Sequence, residues 1–65
     1  MGYNLAKGIM SEKQITQIID DGSSITSVAQ DDEGNVVTKT ESYGGWGQSR
    51  ESAIEHTSTD ALNEL

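Results

Sequence analysis

Any catalysis by this chain would have to start from His56, its single histidine. On a helix Asp60 lies one turn further on, so imidazole and carboxylate would share a face. A pair so placed can tune a histidine or provide two metal ligands, but it supplies no third ligand. A nucleophilic serine would need a sharp strand-to-helix turn, and no Gly-x-Ser-x-Gly surrounds any serine. Asp31-Asp32-Glu33 followed by Gly34 has the composition of a calcium loop. Counted from Asp31, however, Val36 stands where the turn glycine belongs and Ser42 where the bidentate glutamate belongs. Gly45-x-Gly47 opens like a phosphate loop, yet Arg50 occupies the third glycine position, and no Gly-x-x-x-x-Gly-Lys-Ser/Thr occurs. The chain is therefore expected to hold no catalytic, metal or cofactor-binding residues and to be no enzyme.

What remains is contact chemistry. Trp46 sits among Gly44, Gly45 and Gly47; a tryptophan on such a loop offers a large area with few rotamers, as interface anchors do. In a chain short of aromatic residues it is also a core candidate, and the expectation is that it folds back over the hairpin, with one ring face able to stay exposed. Asp31, Asp32 and Glu33 form the densest acidic cluster, with Asp20-Asp21 a second. The expected partner-binding residues are Trp46, Tyr43, Asp31, Asp32 and Glu33.

Eleven acidic residues against four basic ones give a formal charge of −7. That charge repels phosphate backbones and anionic lipid, and Lys7, Lys13, Lys39 and Arg50 are too scattered to make a basic stripe. Direct nucleic-acid binding is not expected. A protein partner fits better, a basic one best. No apolar run approaches the roughly 20 residues of a membrane span. Met1 to Met10 lacks the continuous apolar stretch of a signal peptide, so a cytoplasmic location is expected.

The elements that position these residues must build a small core. Apolar residues make up 32% of 65 residues, with no cysteine and no phenylalanine. A chain of this length buries only about 60% of the surface its unfolded form exposes. Residues 1–10 carry two glycines and no period and read as a loosely held arm, although Leu5, Ile9 and Met10 offer docking groups. Residues 11–65 read as one small domain. Ser11 with Gln14 has capping-box spacing, and Ile15, Ile18 and Ile19 fall on one helical face before Asp20-Asp21-Gly22, a plausible stop. A helix is favoured there, with a β-branched strand as the alternative.

Ser24 to Gln30 and Val36 to Tyr43 read as a hairpin closed by a type I turn with a glycine bulge at Gly34. That loop sets Val28 opposite Thr38 and Ala29 opposite Val37. One face then carries Thr26, Val28, Val36, Thr38 and Thr40, the other Ile25, Ala29, Val37 and Tyr43. Ser49 is a good N-cap with Glu51 in the first turn, and Ala53, Ile54, Ala61, Leu62 and Leu65 make an apolar stripe. Thr57-Ser58-Thr59 either frays this helix or divides it in two. The expected fold is α+β: an antiparallel β-hairpin or sheet packed against one C-terminal helix, with the N-terminal element open between helix and strand.

The stretch Ile25 to Glu55, with its Asp-Asp-Glu-Gly-Asn tip and Ser-Arg-Glu-Ser-Ala-Ile helix start, resembles a small uncharacterised bacterial domain family. Its members have a hairpin with an Asp-x-x-Gly-Asn-like tip, followed by a helix opening in Ser-Lys-Glu-Glu-Ala-Ile. The Gly44–Gly47 segment and Thr57-Ser58-Thr59 depart from that pattern, and the resemblance implies a fold without an activity. The expected function is that of a small acidic interaction module, bacterial or phage in style, that binds and regulates or inhibits another macromolecule. Two alternatives stand beside it: a self-associating assembly protein, and an acidic mimic of nucleic acid that fills a basic groove.

Overall fold

A computed structural model describes residues 12–65; the arm expected over residues 1–10 lies outside the described residues. Three strands, β1 (Lys13–Asp20), β2 (Ser24–Asp31) and β3 (Val36–Ser42), form an antiparallel sheet in the order β1-β2-β3. One helix, α1 (Arg50–Glu64), follows and packs on one face of the sheet, closer over β2 and β3 than over β1. This is the α+β arrangement expected from the pattern.

The helix favoured over residues 11–20 is not formed; Lys13–Asp20 is a strand. The misreading has a geometric cause. Pairing of β1 with β2 shifts at a bulge between Ile15 and Gln17, so Ile15 lies opposite Ala29 while Ile18 lies opposite Ser27. Cross-strand partners share a face, and one extra residue brings positions three apart onto the same side. The isoleucine spacing that looks helical is thus also that of a bulged strand, and Ile19, opposite Thr26, points the other way. Gly22 has the positive φ foreseen for it, 93°, but in the β1–β2 turn rather than at a helix end. The Asp21 carboxylate accepts the N–H groups of Ser23 at 2.9 Å and Ser24 at 2.8 Å, fastening that turn.

The β2–β3 hairpin has the expected register, with Val28 opposite Thr38 and Ala29 opposite Val37. Gly34 N–H donates to Asp31 C=O and Asp31 N–H to Asn35 C=O, with Gly34 at φ 91°, a conformation that any Cβ would strain. The Asp31 carboxylate completes the tip by accepting Glu33 N–H at 3.0 Å, Asn35 N–H at 2.9 Å and the Asn35 amide at 3.0 Å.

Ser49 caps α1, its hydroxyl accepting Ser52 N–H at 3.1 Å, and Glu51 stands in the first turn. The helix runs unbroken through Thr57-Ser58-Thr59. The competing hydroxyl of Thr57 is absorbed by its own helix, donating to Ala53 C=O at 2.8 Å.

Apart from Ile25, the core is built of small side chains. Ile25, Ser27 and Ala29 of β2 and Ala53, Thr57 and Ala61 of α1 are fully buried. Ala53, Thr57 and Ala61 are spaced one turn apart, and the short Ser27–Thr57 contact across the interface brings helix and sheet close together. Ile54, Leu62 and Leu65 are only half-buried and flank this seam. Lys39 of β3 forms an ion pair with Glu64, tying the helix end to the sheet edge.

The buried hydroxyls have a deducible direction. A carbonyl only accepts, so the single hydroxyl hydrogen of Thr57 goes to Ala53 C=O. The Ser27 hydroxyl, 2.8 Å away, must then donate to Thr57, and Ser58, 3.1 Å from Ser27, must donate to Ser27. The result is a one-way chain, Ser58 to Ser27 to Thr57 to Ala53 C=O.

Candidate functional site

Trp46 stands at the tip of the segment joining β3 to α1. Gly47 N–H donates to Gly44 C=O at 3.0 Å and Gly44 N–H to Gln48 C=O at 2.8 Å, closing a tight turn. Gly45 is its first central residue at φ 59°, in the left-handed region where a glycine is favoured, and Trp46 is its second. The indole is fully exposed, at 106% of its reference area. It does not fold back over the hairpin as the shortage of core suggested.

The stem of the turn explains the exposure. The Gln48 amide donates to the Glu41 carboxylate at 2.7 Å and to Ser42 C=O at 3.0 Å, and Tyr43 N–H donates to Ser23 C=O at 3.0 Å. Both roots of the loop are pinned to the end of the sheet, and the tip is carried away from it. On the hairpin face away from the helix, the Thr26 and Thr40 hydroxyls pair with each other at 2.9 Å.

Beneath the loop, three chain segments converge on the Asp20 carboxylate. It accepts the Tyr43 hydroxyl at 2.6 Å, Gly22 N–H at 2.8 Å and Arg50 Nε at 2.5 Å. The Arg50 bond, then Tyr43 and the Gly22 amide, hold this carboxyl down at about 2. Reciprocally, Asp20 pushes the Tyr43 phenol up from its ordinary value. The end of β1, the residue after β3 and the first residue of α1 are thereby clamped around one anion. Sequence reasoning missed this clamp. The available signal was Arg50 itself: a cation in the first turn opposes the helix dipole and calls for an anionic partner elsewhere.

The sequence-derived site does not come together as one surface. Tyr43 lies at the Trp46 end with its hydroxyl engaged by Asp20. Asp31, Asp32 and Glu33 lie at the opposite end of β2, roughly 23 Å away for seven residues of extended strand. Asp31 is occupied by the turn amides, which with the Asn35 side chain lower its pKa, the side chain contributing most. Only Asp32 and Glu33 of that trio are free to meet a partner. The carboxylates nearer the Trp46 loop are Glu51, Asp21 and Glu41, the last also 3.4 Å from His56 Nδ1. His56 thus faces Glu41 across the interface instead of pairing with Asp60, and among the described residues no cluster of three potential metal ligands occurs. No helix among the described residues is long and apolar enough to cross a membrane.

No protein-family model, curated protein or solved structure matches this chain.

Proposed function

We propose that the chain is a non-catalytic interaction module that engages another protein by seating Trp46 in an apolar pocket of the partner. One observation carries this reading: a fully exposed tryptophan on a loop held rigid at its roots by Asp20, Tyr43, Arg50 and Gln48. Exposing an indole costs a small protein apolar area that its core lacks, while pinning the roots of the loop lowers the ordering cost of binding. With Glu51 near the loop and a chain charge of −7, the fitting pocket has a basic rim, as on a basic enzyme that the module would regulate or inhibit. A bacterial or phage setting suits a module of this size. Acidic mimicry of nucleic acid has less support, because Asp31 is spent on its own turn and the two acidic clusters, Asp20-Asp21 and Asp31-Asp32-Glu33, lie at opposite ends of β2.

The test is quantitative capture from a host extract with the wild-type chain and Trp46→Ala as paired baits, followed by titration of the captured protein. Loss of roughly 30-fold or more in affinity on Trp46→Ala, with an unchanged urea midpoint, is expected for an anchor residue. A partner that binds both baits equally overturns the reading.

A further inference from the structure

On the helix side of the sheet, an apolar surface beside β1 is only partly covered by the fold. His56 and Glu64 place one flank of α1 toward β3, so Ile54, Leu62 and Leu65 on the other flank border β1. β1 adds Ile15 and Ile18 on the same side of the sheet, and Ile18 is 44% exposed. The outer edge of β1 has no partner strand among the described residues.

We propose that this edge pairs antiparallel with β1 of a second copy, about a two-fold axis between Thr16 and Gln17. The strand is self-complementary in that register. Lys13 falls opposite the partner's Asp20, Gln14 opposite the partner's Ile19, and Ile15 opposite the partner's Ile18. Lys13, Ile15, Ile18 and Asp20 all lie on the helix side of the sheet, opposite Asp31, Ala29, Ser27 and Ile25 respectively. Gln14 and Ile19 lie on the other side, opposite Gln30 and Thr26. Every pair therefore matches face to face.

The bulge makes this match. In a regular strand, residues seven apart such as Lys13 and Asp20 point to opposite faces, and the same register would bury charge against the wrong side. Bulges commonly blunt an edge, but here the two meet at the axis and leave a three-residue ladder on either side. Pairing would join two three-stranded sheets into six strands and bring the two isoleucine flanks together under their helices.

Charge selects a second copy over an unrelated strand. Gln14 to Ile19 is an uncharged run in a chain of −7, bounded by one cation and one anion that antiparallel symmetry sets against each other. The same symmetry sends the two Asp31-Asp32-Glu33 tips to opposite ends of the dimer. This interface is separate from the Trp46 loop, so either stands if the other fails.

Sedimentation equilibrium of the full chain over a dilution series tests it. A dimer is expected that Ile18→Lys abolishes with unchanged far-ultraviolet circular dichroism, since Ile18 is half exposed in the single chain. Lys13→Glu should weaken it roughly tenfold or more by turning two attractive cross-strand pairs repulsive. The chain has no cysteine, so Gln17→Cys, beside the axis, should cross-link on mild oxidation while Thr38→Cys on β3 should not. Trp46→Ala should leave the dimer intact. A chain monomeric at every concentration overturns the proposal, and if its stability then falls on removal of residues 1–10, the groove belongs to the chain's own N-terminal segment. A dimer indifferent to Ile18→Lys, or cross-linked through Thr38→Cys, overturns it equally.

Discussion

The one-way hydroxyl chain in the core makes a prediction in which the order of costs matters more than their size. Thr57→Val keeps the shape of the side chain and removes its hydroxyl. Ala53 C=O still receives its helical amide, so the loss falls on Ser27, fully buried, whose hydrogen must turn toward Ser58. One net hydrogen bond sets the cost at about 1 kcal/mol. Ser27→Ala leaves Thr57 donating to Ala53 C=O but strips its acceptor position and Ser58 of their partner, again about 1 kcal/mol. With both changes no buried donor is orphaned, so the double variant should cost about as much as either single one, a coupling of roughly 1 kcal/mol. Ser58 begins the chain and is half-buried, and its hydroxyl can turn to water. Ser58→Ala should therefore cost less than about 0.5 kcal/mol. Urea unfolding followed by circular dichroism reads this directly, since a slope near 1 kcal/mol/M for so small a domain turns each step into a midpoint shift of about 1 M. Additive single costs, or Ser58→Ala as damaging as Ser27→Ala, would refute the assigned direction.

Acid should destabilise the fold through its turn carboxylates. Asp20 is held at about 2 against an ordinary 3.8, chiefly by Arg50, and the carboxyls of Asp21 and Asp31 are lowered by their turn amides and side-chain partners. The unfolded chain takes up these protons first, so the stabilisation is complete above about pH 5 and drains as pH falls toward 2. Urea midpoints measured across that range should fall steadily, and Asp20→Asn should flatten the decline; a midpoint indifferent to pH there removes the clamp. At the helix start, Ser49→Ala should lower stability by about 1 kcal/mol and Ser49→Asp should restore it, read by the same unfolding curves.

The parts of this fold legible in the sequence are those fixed by local backbone chemistry. Asp31, Gly34 and Asn35 specify a turn whose geometry dictates the register of β2 against β3, and Ser49 marks a helix start wherever the helix later packs. β1 was misread because its identity depends on a neighbour: without β2 to receive it, a run with isoleucines three and four apart satisfies a helical stripe and a bulged strand alike. Trp46 was misplaced for a related reason. Composition said that a small chain needs every apolar group in its core, but the loop's direction is set by Gln48, bonded to Ser42 and Glu41, and by glycines that close the turn on themselves. The Asp20–Arg50 bond joins residues thirty apart and has no local trace beyond a cation at the wrong helix end.

The division of side chains between centre and flank links stability to association. Alanine, serine and threonine at the helix–sheet seam allow close approach, but each buries little area, so the seam alone contributes little of the hydrophobic driving force. The larger groups, Ile15, Ile18, Ile54, Leu62 and Leu65, lie to one side, where a single copy covers them only in part. Exchanging the two sets would not simply strengthen the domain. A leucine at Ser27 or Thr57 would force apart a helix and strand joined by a 2.8 Å hydroxyl contact, at a cost of about 1–3 kcal/mol for overpacking. The close seam therefore requires small residues, and the apolar groups it excludes gather beside β1, the strand proposed to pair with its own copy.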